Sequence, residues 1–325
     1  MARVFINGFG RIGRTTLRAW ALGRRNGLDI VGINDIAAAD LCAHLFAYDS
    51  VFGPFPGAVT LDGDLLRIDD LTIPIYRSAD AGQIDLGGVD LLLECTGKAK
   101  TRDIATRGLQ AGAGRVLISG PSDAADLTMV LGANDDLLAD QPIVSNASCT
   151  TNALAPIVRL LDDTWGLRTG WMTTIHCYTG SQPTIDAPRD DMLRSRAAGL
   201  SMVPTTTSAQ PLLNAVLPDI AGRIEAAAVR VPTASVSAID LTVTLDTAIS
   251  CDQVHDLIRQ QSGIIGHTDK PLVSSDLRAR PESLIVSLPE TRVTAGGLVR
   301  IFGWYDNEWG FSCRMLDVAR LITQN

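Results

Sequence analysis

The chain has 325 residues, 46% hydrophobic and 20% charged, which is long enough for two domains with separate cores. Twenty-eight basic against thirty-six acidic residues leave a net charge of −8, which disfavours nonspecific nucleic-acid binding, and Arg24-Arg25 is too short a run to argue a local basic patch. No apolar run approaches the ~18 residues of a membrane span, and the start (Arg3-Val4-Phe5-Ile6-Asn7) reads as a strand rather than a secretory signal, so a cytoplasmic protein is expected.

Val4-Phe5-Ile6 predicts a first strand, leading through glycines into a helix from Arg11 to Arg25. Ile30 to Ile33 predicts a second strand, followed by a helix from Ala37 to Ala47. Beyond a Gly/Pro-rich turn at 53–57, Thr60 to Leu65 carries the Asp62-Gly63 signal of a hairpin. Val89 to Glu94 and Val116 to Ile118 are short apolar runs of the kind that become buried parallel strands. This alternation predicts an α/β fold, a doubly wound (Rossmann) dinucleotide-binding domain over 1–148. From 149 onward the strands lengthen and alternate better: Trp171 to His176, Ala226 to Val231, Ser235 to Leu245, Leu284 to Leu288 and Leu298 to Trp304. They predict an α+β catalytic domain over 149–310 with a mostly antiparallel sheet. Phe311 to Thr323 reads as a closing helix, and 311–325 is expected to pack back onto the first domain.

Gly8-Phe9-Gly10-Arg11-Ile12-Gly13 is a G-x-G-x-x-G run placed right after a strand and opening a helix. Its glycines permit a tight turn, close approach to a pyrophosphate and close helix–strand packing, and the helix N-terminus favours an anion. Asp35 ends the second strand, where a carboxylate would bind a ribose 2′-hydroxyl and repel a 2′-phosphate. NAD is therefore the expected cofactor, with NADP a weaker alternative. A plain glycine turn followed by a helix-capping Asp is the bland alternative, and the flanking strand and helix weigh against it.

The six cysteines (42, 95, 149, 177, 251, 313) show no C-x-x-C spacing and read as reduced thiols, with neither disulfides nor a metal site. One of them stands in Ser145-Asn146-Ala147-Ser148-Cys149-Thr150-Thr151-Asn152, among small polar residues rather than the aliphatic neighbours of a structural cysteine. Leu154, Ile157, Val158 and Leu161 make a helical stripe after it, so Cys149 falls at a helix N-terminus, where amides and the dipole favour a thiolate. The same amides suit an oxyanion formed by attack on a carbonyl. Of four histidines, His44 and His255 fall in predicted helices and His267 in a Gly-flanked turn. His176 ends a strand before a polar loop and is the candidate base.

Six motifs occur in order: "INGFGRIGR" (6–14), "IND" (33–35), "SNASCTTN" (145–152), "MTTIH" (172–176), "VRVP" (229–232) and "WYDNEWG" (304–310). With them the chain resembles phosphorylating glyceraldehyde-3-phosphate dehydrogenases over nearly its whole length. The resemblance implies NAD-dependent oxidative phosphorylation of glyceraldehyde 3-phosphate to 1,3-bisphosphoglycerate, in glycolysis or gluconeogenesis. Cys149 would form a thiohemiacetal and then a thioester, His176 would accept the hydroxyl proton, and inorganic phosphate would cleave the thioester.

By the same likeness Thr179 and Arg230 match the substrate-phosphate site. Ser148, Thr150 and Thr207 match the pocket of the attacking phosphate, with Arg194 between the two, and Ser208 stands beside that pocket as a further candidate. Arg11 and Ile12 match the turn around the pyrophosphate, Thr96, Gly97 and Ser119 complete the cofactor set, and Asn307 matches the residue that fixes the nicotinamide carboxamide. Without the likeness Arg230 reads as a strand-edge surface charge and Thr207 as a helix N-cap. A homotetramer is implied, its 178–200 loop covering a neighbour's cofactor site. The chain departs from many relatives at Ala153, Asp190, Ser208 and Phe311, where they carry Cys, Lys, Gly and Tyr. Erythrose-4-phosphate dehydrogenase is the nearest alternative, against which Thr179 weighs. A non-catalytic binding protein that kept the fold is an alternative of another class.

Overall fold

Strand β1 (Ala2–Asn7) runs through a glycine turn into helix α1 (Arg11–Ala21) in the computed structural model of the protein, which describes residues 1–23 and 27–324. The helix stops where Leu22 and Gly23 donate back to the carbonyls of Arg18 and Trp20, at 3.0 and 3.2 Å. It is shorter than its expected extent to Arg25, and positions 24–26 lie outside the described residues. By its contacts the chain forms two compact units. One comprises Met1–Met129, Asp135–Ala147 and the segment from Ser312; the other comprises Val130–Asn134 and Ser148–Phe311.

The first unit is built on a nine-stranded sheet. Its strands are β1, β2 (Leu28–Asn34), β3 (Val59–Asp62), β4 (Leu65–Ile68), β5 (Leu71–Tyr76), β6 (Leu91–Glu94), β7 (Arg115–Ile118), β8 (Leu127–Thr128) and β9 (Ile143–Ser145), in the spatial order β8-β9-β7-β6-β1-β2-β5-β4-β3. All pairings from β8 to β5 are parallel, while β3, β4 and β5 form an antiparallel meander. The expected hairpin is present, with Asp62 opposite Leu65, so its loop centres on Gly63-Asp64 rather than on Asp62-Gly63. Helix α2 (Ala39–Ala47) follows β2. Every residue of β6 is buried, as a parallel strand covered on both faces requires, and Phe5, Leu92, Val116, Ile118 and Ile143 share one apolar cluster. Strand order reverses at β1, so the crevice at its carboxyl end is the topological switch point of a doubly wound sheet.

The second unit contains helix α3 (Cys149–Trp165), whose Leu154, Ile157, Val158 and Leu161 are fully buried. Each such side chain contributes roughly 1.5–3 kcal/mol of burial. Its sheet comprises β10 (Leu167–Cys177), β11 (Val203–Thr205), β12 (Ile224–Val231), β13 (Ser237–Leu245), β14 (Ile265–Thr268), β15 (Leu284–Ser287), β16 (Arg292–Val293) and β17 (Leu298–Tyr305). The order is β11-β12-β10-β13-β17-β15-β14, with β16 beside β17. Most pairings are antiparallel; β10 with β12 and β14 with β15 are parallel. His267 lies within β14 and not in a turn, because Ile265 to Thr268 find partners in β15 that local glycines do not reveal. Helices α4 (Ala209–Val216) and α5 (Cys251–Arg259) complete this unit, and the closing helix is α6 (Trp309–Gln324). Among the described residues no helix is long and apolar enough to cross a membrane.

Candidate functional site

Cys149 is the first residue of α3, and the turn before it is tightly specified. Ala147 takes a left-handed backbone, φ 54°, and Ser148 caps the helix by accepting the Thr151 amide on Oγ at 3.1 Å. Such a cap is worth about 1 kcal/mol. His176, one residue before the end of β10, brings Nε2 to 3.7 Å from the Cys149 sulfur. Its Nδ1 donates to the Cys177 carbonyl at 2.6 Å, which leaves Nε2 as the unprotonated nitrogen facing the thiol.

Burial pushes the Cys149 thiol up. The hydroxyl and amide of Thr150, the Arg230 cation and the thiol's own amide pull it down without cancelling that rise. The expected thiolate preference of the helix terminus is therefore real in sign but outweighed by desolvation. Burial also pushes His176 down, to about 4, with Arg230 adding to the fall and the Cys177 carbonyl opposing it. A neutral imidazole with a free Nε2 is what proton abstraction at neutral pH needs.

The parallel register pairs His176 with Arg230 across β10 and β12. Arg230 Nη1 donates to Thr179 Oγ1 at 3.0 Å and to the Cys177 carbonyl at 3.2 Å. Arg194 donates from Nε to Thr205 Oγ1 at 2.6 Å and from Nη2 to the carbonyl and hydroxyl of Thr206, at 3.0 and 2.9 Å. Both guanidinium groups are thus held by neutral acceptors and, among the described residues, pair with no carboxylate. Their charge stays available to an anion. Thr207 accepts the Ala209 amide at 3.1 Å in the first turn of α4, while Ser208 is exposed and makes no side-chain cap there. Asp190 is also exposed, and Asp191 is the carboxylate that accepts the Arg194 amide, at 2.8 Å.

Two further buried polar groups stand behind this site, and one of them, Tyr305, is not singled out by the sequence. Tyr305 is buried, its hydroxyl 2.9 Å from Thr150 Oγ1 and 2.8 Å from Thr174 Oγ1, and its ring meets His176 edge-on at 6.0 Å. It lies inside the motif at 304–310, yet an alternating strand gives no sign of which inward residue carries a polar tip. Asn307 is also buried and accepts on Oδ1 from Cys177 Sγ at 3.0 Å and from Ser237 Oγ at 3.4 Å.

In the first unit a cleft of about 260 Å³ opens at the switch point, with Gly8, Gly10, Asp35 and Thr96 among its lining residues. Gly8 has φ 94°, and a Cβ there would meet Thr96 N at 2.6 Å; a Cβ on Gly13 would come within 2.1 Å of the Gly8 carbonyl oxygen. A Cβ on Gly10 would meet nothing within 4 Å, so the start of α1 faces open space. Asp35 accepts the Phe9 amide at 2.6 Å and the Ala37 amide at 2.9 Å. Arg11 pairs with buried Asp49. Ile12, Gly97 and Ser119 lie outside the cleft lining, Gly97 with φ 71° and Ser119 donating its amide to the Glu94 carbonyl at 3.0 Å. Beneath the cleft, buried Glu94 accepts from Asn7 Nδ2 at 2.5 Å and from Thr96 N at 2.9 Å, and Asn34 Nδ2 donates to Asn7 Oδ1 at 2.7 Å. Polar residues at the ends of apolar strands were the available signal for this network.

Two family models match: "Glyceraldehyde 3-phosphate dehydrogenase, NAD binding domain" over residues 2–102, and "Glyceraldehyde 3-phosphate dehydrogenase, C-terminal domain" over residues 148–307. The chain is 46% identical over 325 residues to a glyceraldehyde-3-phosphate dehydrogenase of Xanthobacter flavus, covering 98% of this chain and 97% of that one. It is 47% identical over 324 residues to that of Pseudomonas aeruginosa, with the same coverage of 98% and 97%. Identity is 40% over 329 residues to that of Priestia megaterium, covering 98% of each chain.

Proposed function

The chain belongs to the glyceraldehyde-3-phosphate dehydrogenase family, oxidoreductases acting on an aldehyde group with a nicotinamide dinucleotide, and from that premise we propose that it converts glyceraldehyde 3-phosphate and inorganic phosphate to 1,3-bisphosphoglycerate. The observation that carries this reading is the pairing of Cys149 and His176 at 3.7 Å beside an arginine that, among the described residues, is held by neutral acceptors. The sulfur adds to the aldehyde carbon as the C=O π bond opens, and the thiol proton passes by way of His176 Nε2 to the carbonyl oxygen, giving a thiohemiacetal. His176 Nε2 takes the hydroxyl proton as the carbon loses hydride, leaving a thioester on Cys149. NAD, when bound, supplies the hydride acceptor. A phosphate oxygen then attacks the thioester carbon, the C–S bond breaks, and the sulfur recovers its proton from His176.

Thr179 and Arg230 bind the substrate phosphate in this reading. Ser148, Thr150, Thr207 and Ser208 surround the attacking phosphate, and Arg194 serves both. A phosphate bound at Arg230 offsets the smaller of the two causes that depress His176. The first unit fits the dinucleotide, because the open start of α1 at Gly10 accepts a pyrophosphate and Asp35 suits ribose hydroxyls. NAD is preferred over NADP on that ground, and Asn307 holds the nicotinamide carboxamide. Ile185, Met192 and Leu200 in the 178–200 loop are 77%, 91% and 87% exposed, which favours further copies of the chain, a homotetramer, covering them. A cytoplasmic role in glycolysis or gluconeogenesis is the setting that suits this chemistry.

Steady-state rates with triose and tetrose phosphates, each with NAD or NADP and with or without inorganic phosphate, test the reading. The highest kcat/KM is expected for the triose with NAD and phosphate. A preference for the tetrose would make the protein an erythrose-4-phosphate dehydrogenase, and no turnover of either would favour a binding role.

A further inference from the structure

Cys177 closes β10, and none of its surface reaches solvent. The proposed chemistry gives its thiol no task, yet every polar group of this residue is engaged. Its carbonyl accepts His176 Nδ1 at 2.6 Å and Arg230 Nη1 at 3.2 Å. Its amide donates to Ser237 Oγ at 3.1 Å, and its thiol donates to Asn307 Oδ1 at 3.0 Å. Ser237 Oγ, having accepted that amide, donates its own proton to the same Asn307 oxygen at 3.4 Å. Amide, hydroxyl, carboxamide oxygen and thiol therefore close a ring.

The ring decides which end of the Asn307 side chain faces inward. Two donors converge on Oδ1, so the amino end, Nδ2, is turned away from them. Turned end for end, the amide would set its NH2 against a sulfur that accepts weakly and a hydroxyl already accepting an N–H. Burial pushes the Cys177 thiol up, to about 12, which keeps it a protonated donor across the working pH range.

We propose that Cys177 is a positioning residue for the dinucleotide: its thiol locks the Asn307 carboxamide with the amino end presented to the nicotinamide amide oxygen. This rests on the reading of Asn307 as the group that holds the nicotinamide carboxamide. A locked amide selects one orientation of the ring about its glycosidic bond, and so one face for hydride transfer. The backbone carbonyl of Cys177 separately serves His176 and Arg230, so a side-chain change at 177 leaves the thiol–imidazole pair and the substrate arginine in place.

The test compares Cys177→Ala, Cys177→Ser and Asn307→Ala with the unaltered enzyme. NAD affinity of the binary complex is measured by calorimetry, and the face that receives label from a deuterated aldehyde is read by proton NMR of the two C4 hydrogens of the reduced cofactor. Cys177→Ala is expected to weaken NAD binding by about two- to tenfold, the scale of one buried hydrogen bond, and to put measurable label on the opposite face. The aldehyde KM should stay within about twofold, because the carbonyl contacts survive. Cys177→Ser, which keeps a donor, should restore both affinity and stereospecificity. Unchanged NAD affinity and label face in Cys177→Ala, with both impaired in Asn307→Ala, would overturn the proposal. If Asn307→Ala also leaves both unchanged, the reading of Asn307 fails and the proposal falls with it. Should Cys177→Ala lose its cooperative melt, Cys177→Val, which fills the space of the side chain without a donor, carries the same comparison with the same deciding outcomes.

Discussion

Two helix N-termini, each fed by a parallel strand, have been put to opposite uses. At α1 the cap is Gly10, which contributes no side-chain hydrogen bond, and its missing Cβ leaves open space before the first turn. At α3 the cap is Ser148, which accepts the Thr151 amide, and the first residue of the helix carries a thiol. Both ends offer amides and the positive pole of a helix dipole. The difference lies in what the chain sets before them. In the proposed reading, bare glycine makes an exchangeable anion site, whereas a capped turn with a cysteine makes a fixed nucleophile. A helix terminus thus supplies the field, and the side chains of one turn decide the chemistry.

Separating the two ends by mutation gives the largest expected effect. Cys149→Ser should abolish aldehyde oxidation and leave NAD affinity unchanged by calorimetry, since only the α3 terminus is altered. Substantial remaining turnover would rule out the covalent route. Next, His176→Asn should slow kcat by about 10²–10⁴-fold, the usual value of general-base help.

The same histidine predicts a stability profile. Its folded value of about 4 lies below the ordinary 6.5, so between those values the unfolded chain binds more protons. Stability is therefore full above about 6.5 and falls as pH drops toward 4, by on the order of 3 kcal/mol from this group. Thermal melts from pH 7 to pH 4 should show His176→Asn losing this part of the acid sensitivity; identical slopes would mean the imidazole is not held neutral.

At the α1 terminus, Asp35→Asn should narrow the NAD preference. One close like-charge pair is worth about 1–4 kcal/mol, so the kcat/KM ratio of NAD to NADP should fall by roughly tenfold to a thousandfold. Equal ratios before and after would remove Asp35 from cofactor choice. Gly13→Ala forces a Cβ to within 2.1 Å of the Gly8 carbonyl oxygen, where backbone must move. Overpacking of this kind costs about 1–3 kcal/mol, and NAD affinity should fall while alkylation of Cys149 by iodoacetamide keeps its rate. If alkylation changed equally, the two termini would not be independent. The smallest effect concerns Asp190, exposed beside Arg189 in sequence. A charge acting through solvent is worth about 1 kcal/mol or less, so Asp190→Lys should lower the KM for inorganic phosphate severalfold, and more at low ionic strength. The same KM at two salt concentrations would show that this carboxylate does not act on the site.

Much of this architecture is written locally. A strand, three glycines and a helix at 4–21 depend on backbone sterics and an apolar period that a short window contains. The α3 stripe at Leu154, Ile157, Val158 and Leu161 likewise puts Cys149 at a helix start from sequence alone. What no window contains is pairing between distant segments. The parallel register of β10 and β12 sets Arg230 beside His176, and β14 with β15 makes a strand of residues around His267 that read as a turn. Tyr305, Cys177 and Ser237 become site residues only because β10, β13 and β17 lie side by side. The protonation balance follows the same rule. A helix dipole can be read from sequence, but the desolvation that raises the Cys149 thiol and lowers His176 depends on everything packed around them, and burial is a property of the folded whole.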